Sequence, residues 1–239
     1  MAIPTPVSFW NCDESSGNLA DAVGSNTLTN NNTATFTTGL IGNAADLESG
    51  SSQYFSITDG SQSGLDFTGD FSLSIWTKFE SILGANNETA IISKWGTSQR
   101  SYLLSLDTYG GNFIDATISS TGANADTRQW TWSPSTATWY HIVWTFNNTS
   151  KLNRVYIDGS SLGDRTSTLT PYNGTAEFQV GYRQEGSMAY ADGLQDMIGA
   201  WNVELTSSEV TELYNAGAGV QYPFSSPKNY SKLLLLGVG

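Results

Sequence analysis

The chain has 239 residues, with 22 acidic side chains against 10 Lys and Arg and a formal net charge of -12. Phosphate backbones are gripped by clustered Lys and Arg, so this balance argues against a nucleic-acid partner and suits a cation better. The length accommodates one β-sandwich domain, and Cys12, the sole cysteine, can form no internal disulfide and belongs to no paired zinc spacing.

The start, Met1-Ala-Ile-Pro-Thr-Pro6, has neither the basic opening nor the apolar core of a secretory signal. Export by another route, or release with a particle, is the expectation. Apolar alternation between turn signals then predicts strands at Tyr54–Ile57, Phe71–Phe79, Ala90–Trp95, Tyr102–Leu106 and Phe113–Ile118. In the second of these Phe71, Leu73, Ile75 and Thr77 face one way. Further strands are predicted at Gln129–Trp132, Trp139–Phe146, Asn153–Ile157 and Ala176–Tyr182, with Asp158-Gly159 as a hairpin turn. The β-branched and aromatic run Leu194–Val203 predicts one more strand. After it, Thr206 and Glu209 have the spacing of a capping box that opens a short helix with Val210, Leu213 and Tyr214 on one face. Gly217 stands where a left-handed cap would stop that helix. The fold class is therefore all-β: a two-sheet antiparallel sandwich with one short C-terminal helix. Eight Trp, eleven Tyr and ten Phe exceed what a small sandwich core can hide, so some are expected at the surface.

Six segments stand in register over roughly residues 5 to 222: Phe9-Trp-Asn-Cys-Asp-Glu-Ser-Ser-Gly17 with Asp21-Ala-Val-Gly24, Gly39-Leu-Ile-Gly-Asn-Ala-Ala-Asp-Leu47, Phe71–Lys78, Trp139–Phe146, Val155-Tyr-Ile-Asp-Gly159 and Gly193–Gly219. Together they resemble the laminin-G-like jelly rolls of the concanavalin A-like lectin and glucanase superfamily. The resemblance implies two antiparallel sheets packed face to face in jelly-roll order across residues 1–224.

It also implies a structural calcium between the first loop and the closing strand, which falls on Asp21 and Asp196. Oxygen donors in Asp21-Ala-Val-Gly-Ser-Asn26 have the close spacing a hard cation needs; backbone oxygens near Gly24 and Asn26 complete the expected shell, with Asp13 as a further candidate. The alternative is that Asp21 shapes a turn and Asp196 caps a strand end. Met197 stands where the family often has a second acid, which removes one ligand.

Sugar binding is the second expectation. Aromatic faces stack on pyranose rings while amides and carboxylates serve the hydroxyls. Arg128, Trp130 and Trp132 share one face of a strand, and Tyr109, Asn112, Tyr182, Arg183 and Tyr190 lie in loops or strand ends that can join them. Core packing is the competing fate for Trp130 and Trp132.

Catalysis is not expected. The glucanases of this superfamily carry acids on one strand as Glu-x-Asp-x-x-Glu or a one-residue variant, and no such triplet occurs. Asp192 and Asp196 straddle a loop and a strand, Glu209 and Glu212 belong to a surface helix, and His141 reads as a structural residue with a satisfied ring nitrogen.

Residues 225–239 form a polar linker and an apolar run, Lys232-Leu-Leu-Leu-Leu-Gly-Val-Gly239, far shorter than the roughly 20 residues a bilayer requires. That run is expected to fold back or to dock on a partner or a second copy through residues 232–239. Sequons at Asn31, Asn87, Asn147, Asn148 and Asn173 are what so Asn- and Thr-rich a chain produces by chance. The chain thus reads as a non-catalytic surface module, glycan-binding or adhesive, extracellular or displayed on an assembly such as a viral particle. A structural decoration or scaffold subunit without sugar binding is the alternative.

Overall fold

The alternating segments pair into two antiparallel sheets, and a computed structural model describes residues 2–82, 84, 87–186 and 190–224. Strands are numbered in chain order. The first sheet runs β13 (Ser160–Thr166), β12 (Leu152–Ile157), β11 (Trp139–Asn147), β6 (Phe71–Phe79), β15 (Gly193–Trp201), β4 (Asn43–Leu47) and β3 (Thr35–Thr38), and β1 (Ser8–Trp10) also pairs with β15. The second runs β10 (Asp126–Thr131), β9 (Phe113–Ile118), β8 (Tyr102–Asp107), β7 (Glu88–Lys94), β14 (Phe178–Val180), β5 (Tyr54–Ile57) and β2 (Thr29–Asn31). The expected linker and apolar run at 225–239 lie outside the described residues, and so does the proposed docking of 232–239.

Period-two alternation decides what each face holds. Phe71, Leu73 and Ile75 of β6 enter the interior between the sheets, where they join Ile114, Ala116 and Ile118 of β9 and Trp144 of β11. The opposite side of the first sheet carries a second apolar layer of Trp76, Val143, Met197 and Trp201. It is roofed by α1 (Ser207–Tyr214) through Val210 and Leu213, and by Tyr222 and Phe224. Two aromatic layers therefore absorb what one core cannot. Tyr109, at 57% exposure, is the only exposed aromatic among the described residues.

The helix begins as expected. Thr206 accepts from the Glu209 backbone N–H, and the Glu209 carboxylate accepts from the Thr206 N–H at 2.7 Å, a reciprocal cap worth about 1 kcal/mol. Its end differs from expectation: Asn215, with φ 49°, takes the left-handed cap ahead of Gly217 and donates its N–H to Thr211 O. Asn adopts that conformation at low cost, so the glycine is not needed as the stop. Asp158 and Gly159, at φ 51° and 75°, make the expected hairpin turn between β12 and β13.

Two buried ionisable groups tie loops to this frame. Lys94, fully buried at the end of β7, meets Asp59 at 2.6 Å and Asp66 at 3.0 Å and donates to the carbonyls of Gly174 and Ala176 at 2.5 and 2.8 Å. His141 on β11 is stacked on Trp76, with ring centroids 5.0 Å apart, and its Nε2 lies 2.9 Å from Ser74 Oγ. Nδ1 has no partner, so the ring is half satisfied, and burial pushes its pKa down to about 3.

Candidate ligand-binding groove

The register of the second sheet builds a groove on its outer side. Ala90 of β7, Ser105 of β8, Asp115 of β9 and Gln129 of β10 face one another in one row across four strands. Neighbouring Ile114 and Ala116 are interior, so the row faces away from the core. Glu88, Asp107 and Phe113 form the next row. Above them lies a cavity of about 470 Å³, closed at one side by Trp95, Arg100, Arg183 and Glu185.

The polar chemistry of the groove is unevenly paired. Arg100 forms a two-pronged ion pair with Glu185, with Nε 2.7 Å from Oε2, donates to Ala123 O at 2.7 Å, and lies 5.6 Å from the Trp95 ring centroid. Arg183 donates to Glu185 O at 2.9 Å and reaches Glu88 at 3.5 Å; Ser105 donates to the other Glu88 oxygen at 2.6 Å. Gln129 Nε2 donates to Asp115 Oδ2 at 3.0 Å and to Asp107 Oδ2 at 3.3 Å. Asp115 is only 3% exposed and its Oδ1 has no partner. Burial pushes its pKa up to about 7; the Gln129 amide works against that, while the charges of Asp107 and Glu88 add to it.

The expected sugar-contact residues separate. Arg128, Trp130 and Trp132 do share a face, but it is the interior one. Trp130, 2% exposed, donates Nε1–H to Gly163 O at 2.8 Å, and Trp132 packs between Phe79 and Tyr140. Arg128 pairs with Asp126 at 2.7 Å and donates to Thr166 O at 2.6 Å, joining β10 to the chain after β13. Their alternate neighbours, Thr127 and Gln129, are the ones that line the groove. Tyr109 stands exposed at one end, its backbone N–H donating to Asp107 Oδ1 at 2.7 Å. Tyr182 and Tyr190 come together, with centroids 4.2 Å apart and planes 10° apart, and Tyr54 of β5 joins them at 5.0 Å from Tyr182. Asn112 bonds Ser133 at the surface, at 3.2 Å. Sequence reasoning missed Asp115, although a carboxylate in the middle of Phe-Ile-Asp-Ala-Thr-Ile was a legible signal.

The expected calcium ligands also fall into two groups. Asp21 Oδ1 accepts from Phe9 and Val23 and its Oδ2 from Asn26, at 3.0 to 3.1 Å, so its carboxylate organises the loop from within. Gly24 packs against that carboxylate, and the Asn26 side chain is spent on Ser8 and Ser63. Asp196 and Asp13 instead meet the loop 39–43. Asp196 Oδ2 accepts from Leu40 N at 3.0 Å, and Asp13 Oδ1 from Asn43 N at 3.0 Å. A Cβ at Gly39 would lie 2.7 Å from Asp196 Oδ2, and one at Gly42 would lie 2.0 Å from Asp13 Oδ1, so both glycines are required for this approach. Asp196 is fully buried with Oδ1 unpartnered, and burial pushes it up to about 7 against the amides of Ile41, Leu40 and Met197, with the Asp13 charge adding to the rise. Burial, and then the charges of Asp196, Glu14 and Asp13, push the Cys12 thiol well up. The orphaned buried oxygen of Asp196 fits a hard cation; the amide-saturated Asp21 does not, and Asp13 reaches the same loop with both oxygens already accepting, from Asn43 N and from Gln221 Nε2 at 2.7 Å. Asp46 on β4 and Glu48 and Glu80, just past the ends of β4 and β6, are, among the described residues, the one trio bringing ligand oxygens within 4.8 Å of one another.

A laminin-G-type family model, described as concanavalin A-like lectin/glucanases superfamily, matches residues 49–211. The chain belongs to that superfamily. No curated protein matches it. Among solved structures, domain 4 of AbnA, a GH43 extracellular arabinanase from Geobacillus stearothermophilus solved with arabinotriose, superposes with a TM-score of 0.64 at 20% identity, covering 87% of this chain and 97% of that one. The binding domain of Paraclostridial Mosquitocidal Protein 1 gives a TM-score of 0.72 at 15% identity, covering 89% of this chain and 52% of that one. The binding domain of botulinum neurotoxin DC, in complex with rat synaptotagmin II, gives 0.71 at 13%, covering 88% and 51%. This superfamily member thus spans about half of those toxin domains, and at such identities the likeness is one of fold. No helix among its described residues is long and apolar enough to cross a membrane.

Proposed function

We propose that this superfamily member is a non-catalytic glycan-binding module whose site is the groove on the second sheet. The observation that carries the reading is the cavity of about 470 Å³ on the outer side of the second sheet, lined by polar side chains that include Asp115, a buried carboxylate held by Gln129 with its second oxygen unpartnered. A sugar hydroxyl is the donor such an acceptor lacks, and Tyr109 at the groove end offers an exposed ring. The arabinanase domain solved with arabinotriose supports a carbohydrate ligand for this fold. A binding role is favoured over hydrolysis because Asp107 and Asp115 accept from the same amide nitrogen. That makes them neighbours on one wall of the groove, whereas a glycosidase opposes its two acids across the scissile bond. Display outside the cell, on a particle or another larger assembly, belongs to this reading, as does a structural calcium at Asp196.

The test is an oligosaccharide array followed by calorimetry on wild type and Asp115→Ala. Binding that Asp115→Ala weakens at least about tenfold, with the circular dichroism unchanged, is expected. Absence of binding to every glycan would replace this reading with the scaffold alternative.

A further inference from the structure

The groove contains four carboxylates, Glu88, Asp107, Asp115 and Glu185, against two guanidinium groups, Arg100 and Arg183. Both cations are already engaged: Arg100 by Glu185 and a carbonyl, Arg183 by Glu88 and the Glu185 carbonyl. Asp107 and Asp115 therefore form a pair with no cation beside it, served only by neutral amides: the Gln129 side chain that both share and the Tyr109 backbone N–H on Asp107. Resting on the glycan-binding reading above, we propose that this pair makes the groove selective for uncharged, hydroxyl-rich glycans and excludes sugars bearing a carboxylate.

The argument is one of donors and charge. A carboxylate only accepts, so a ligand group that meets the remaining lone pairs of Asp107 must donate, as hydroxyls do and ligand carboxylates do not. Asp107 is only 8% exposed and faces Glu88 across β7 and β8, so an anion placed against this wall meets carboxylates that solvent screens poorly. The guanidinium groups that would ordinarily receive an acidic sugar are engaged, Arg100 by the two-pronged pair with Glu185 and Arg183 by the Glu185 carbonyl and Glu88, so receiving one means giving up those partners. Selectivity thus arises as much from repulsion of the wrong ligand as from attraction of the right one.

The experiment compares dissociation constants of the full chain for neutral oligosaccharides, arabinotriose and xylotriose among them, and for oligouronates and sialylated oligosaccharides, at pH 7.5 and moderate salt. Neutral ligands should bind at least about tenfold more tightly than anionic ones of the same length. Asp107→Asn, which keeps the shape and removes the charge, should narrow that ratio, with folding verified by its melting curve. Anionic glycans binding as well as or better than neutral ones, or a ratio unmoved in a folded Asp107→Asn variant, would overturn the charge selection while leaving glycan binding intact. If no oligosaccharide of either class binds, both proposals fall together.

Discussion

Asp115 and Gln129 face each other across β9 and β10, and the 3.0 Å bond between them leaves the second Asp115 oxygen buried without a partner. Because burial raises the Asp115 pKa from 3.8 to about 7, the folded state holds a proton more tightly than the unfolded chain. The stabilising contribution is complete below pH 4 and is lost as pH rises through 7. Asp115→Asn has no such loss. Denaturant titrations from pH 4.5 to 8.5 should show the stability difference between variant and wild type shifting by about 3 kcal/mol in the variant's favour across that span. A constant difference would mean that Asp115 stays ionised in the fold.

His141 runs the other way. Its folded pKa lies near 3, against 6.5 in the unfolded chain, so its contribution is complete above pH 6.5 and is lost progressively as pH falls from there towards 3. His141→Phe keeps a ring for Trp76 and Tyr214 to stack on and removes the titration. Melting curves between pH 7 and 4 should show the variant losing less stability on acidification than wild type.

Lys94 tests the frame rather than the groove. Lys94→Met fills most of the space but leaves Asp59 and Asp66 without their cation and two carbonyls without a donor. Since the two carboxylates remain partly in water, the expected loss is about 3 kcal/mol, at the low end for breaking a buried pair. Chemical denaturation reads it directly.

Calcium at Asp196 predicts a melting temperature that depends on the ion. At a hundredfold excess over its dissociation constant the ion adds about 2.7 kcal/mol, so chelation should lower the melting temperature and Asp196→Asn should abolish the response. An identical response in Asp21→Asn and wild type would agree with Asp21 being committed to backbone amides.

The strands were legible because alternation of apolar and polar residues is a local property, and the capping box because Thr206 and Glu209 meet within one turn. The groove was not, for a reason visible in β10. Alternation shows that Arg128, Trp130 and Trp132 share a face and that Thr127, Gln129 and Thr131 share the other, but not which of the two the opposite sheet will cover. That is settled by long-range pairing, here by Gln129 falling opposite Asp115 and Trp130 opposite interior Ile114. The calcium expectation split for the same reason: Asp196 and Asp13 are brought together by loop 39–43, whose glycines advertise a close approach without naming what approaches.

The aromatic layer behind the first sheet has a practical consequence for handling the molecule. Trp201 donates to Pro4 O at 2.9 Å and its ring lies 6.5 Å from that of Phe224, so the two ends of the described chain meet on one side of the sandwich while the groove opens on the other. A surface tether, a fluorescent fusion or a second module joined at Pro4 or directly after Phe224 starts from the back and leaves the groove clear. A short linker joining those ends would let new termini be opened in the Asp158-Gly159 hairpin, giving a circular permutant whose groove is untouched.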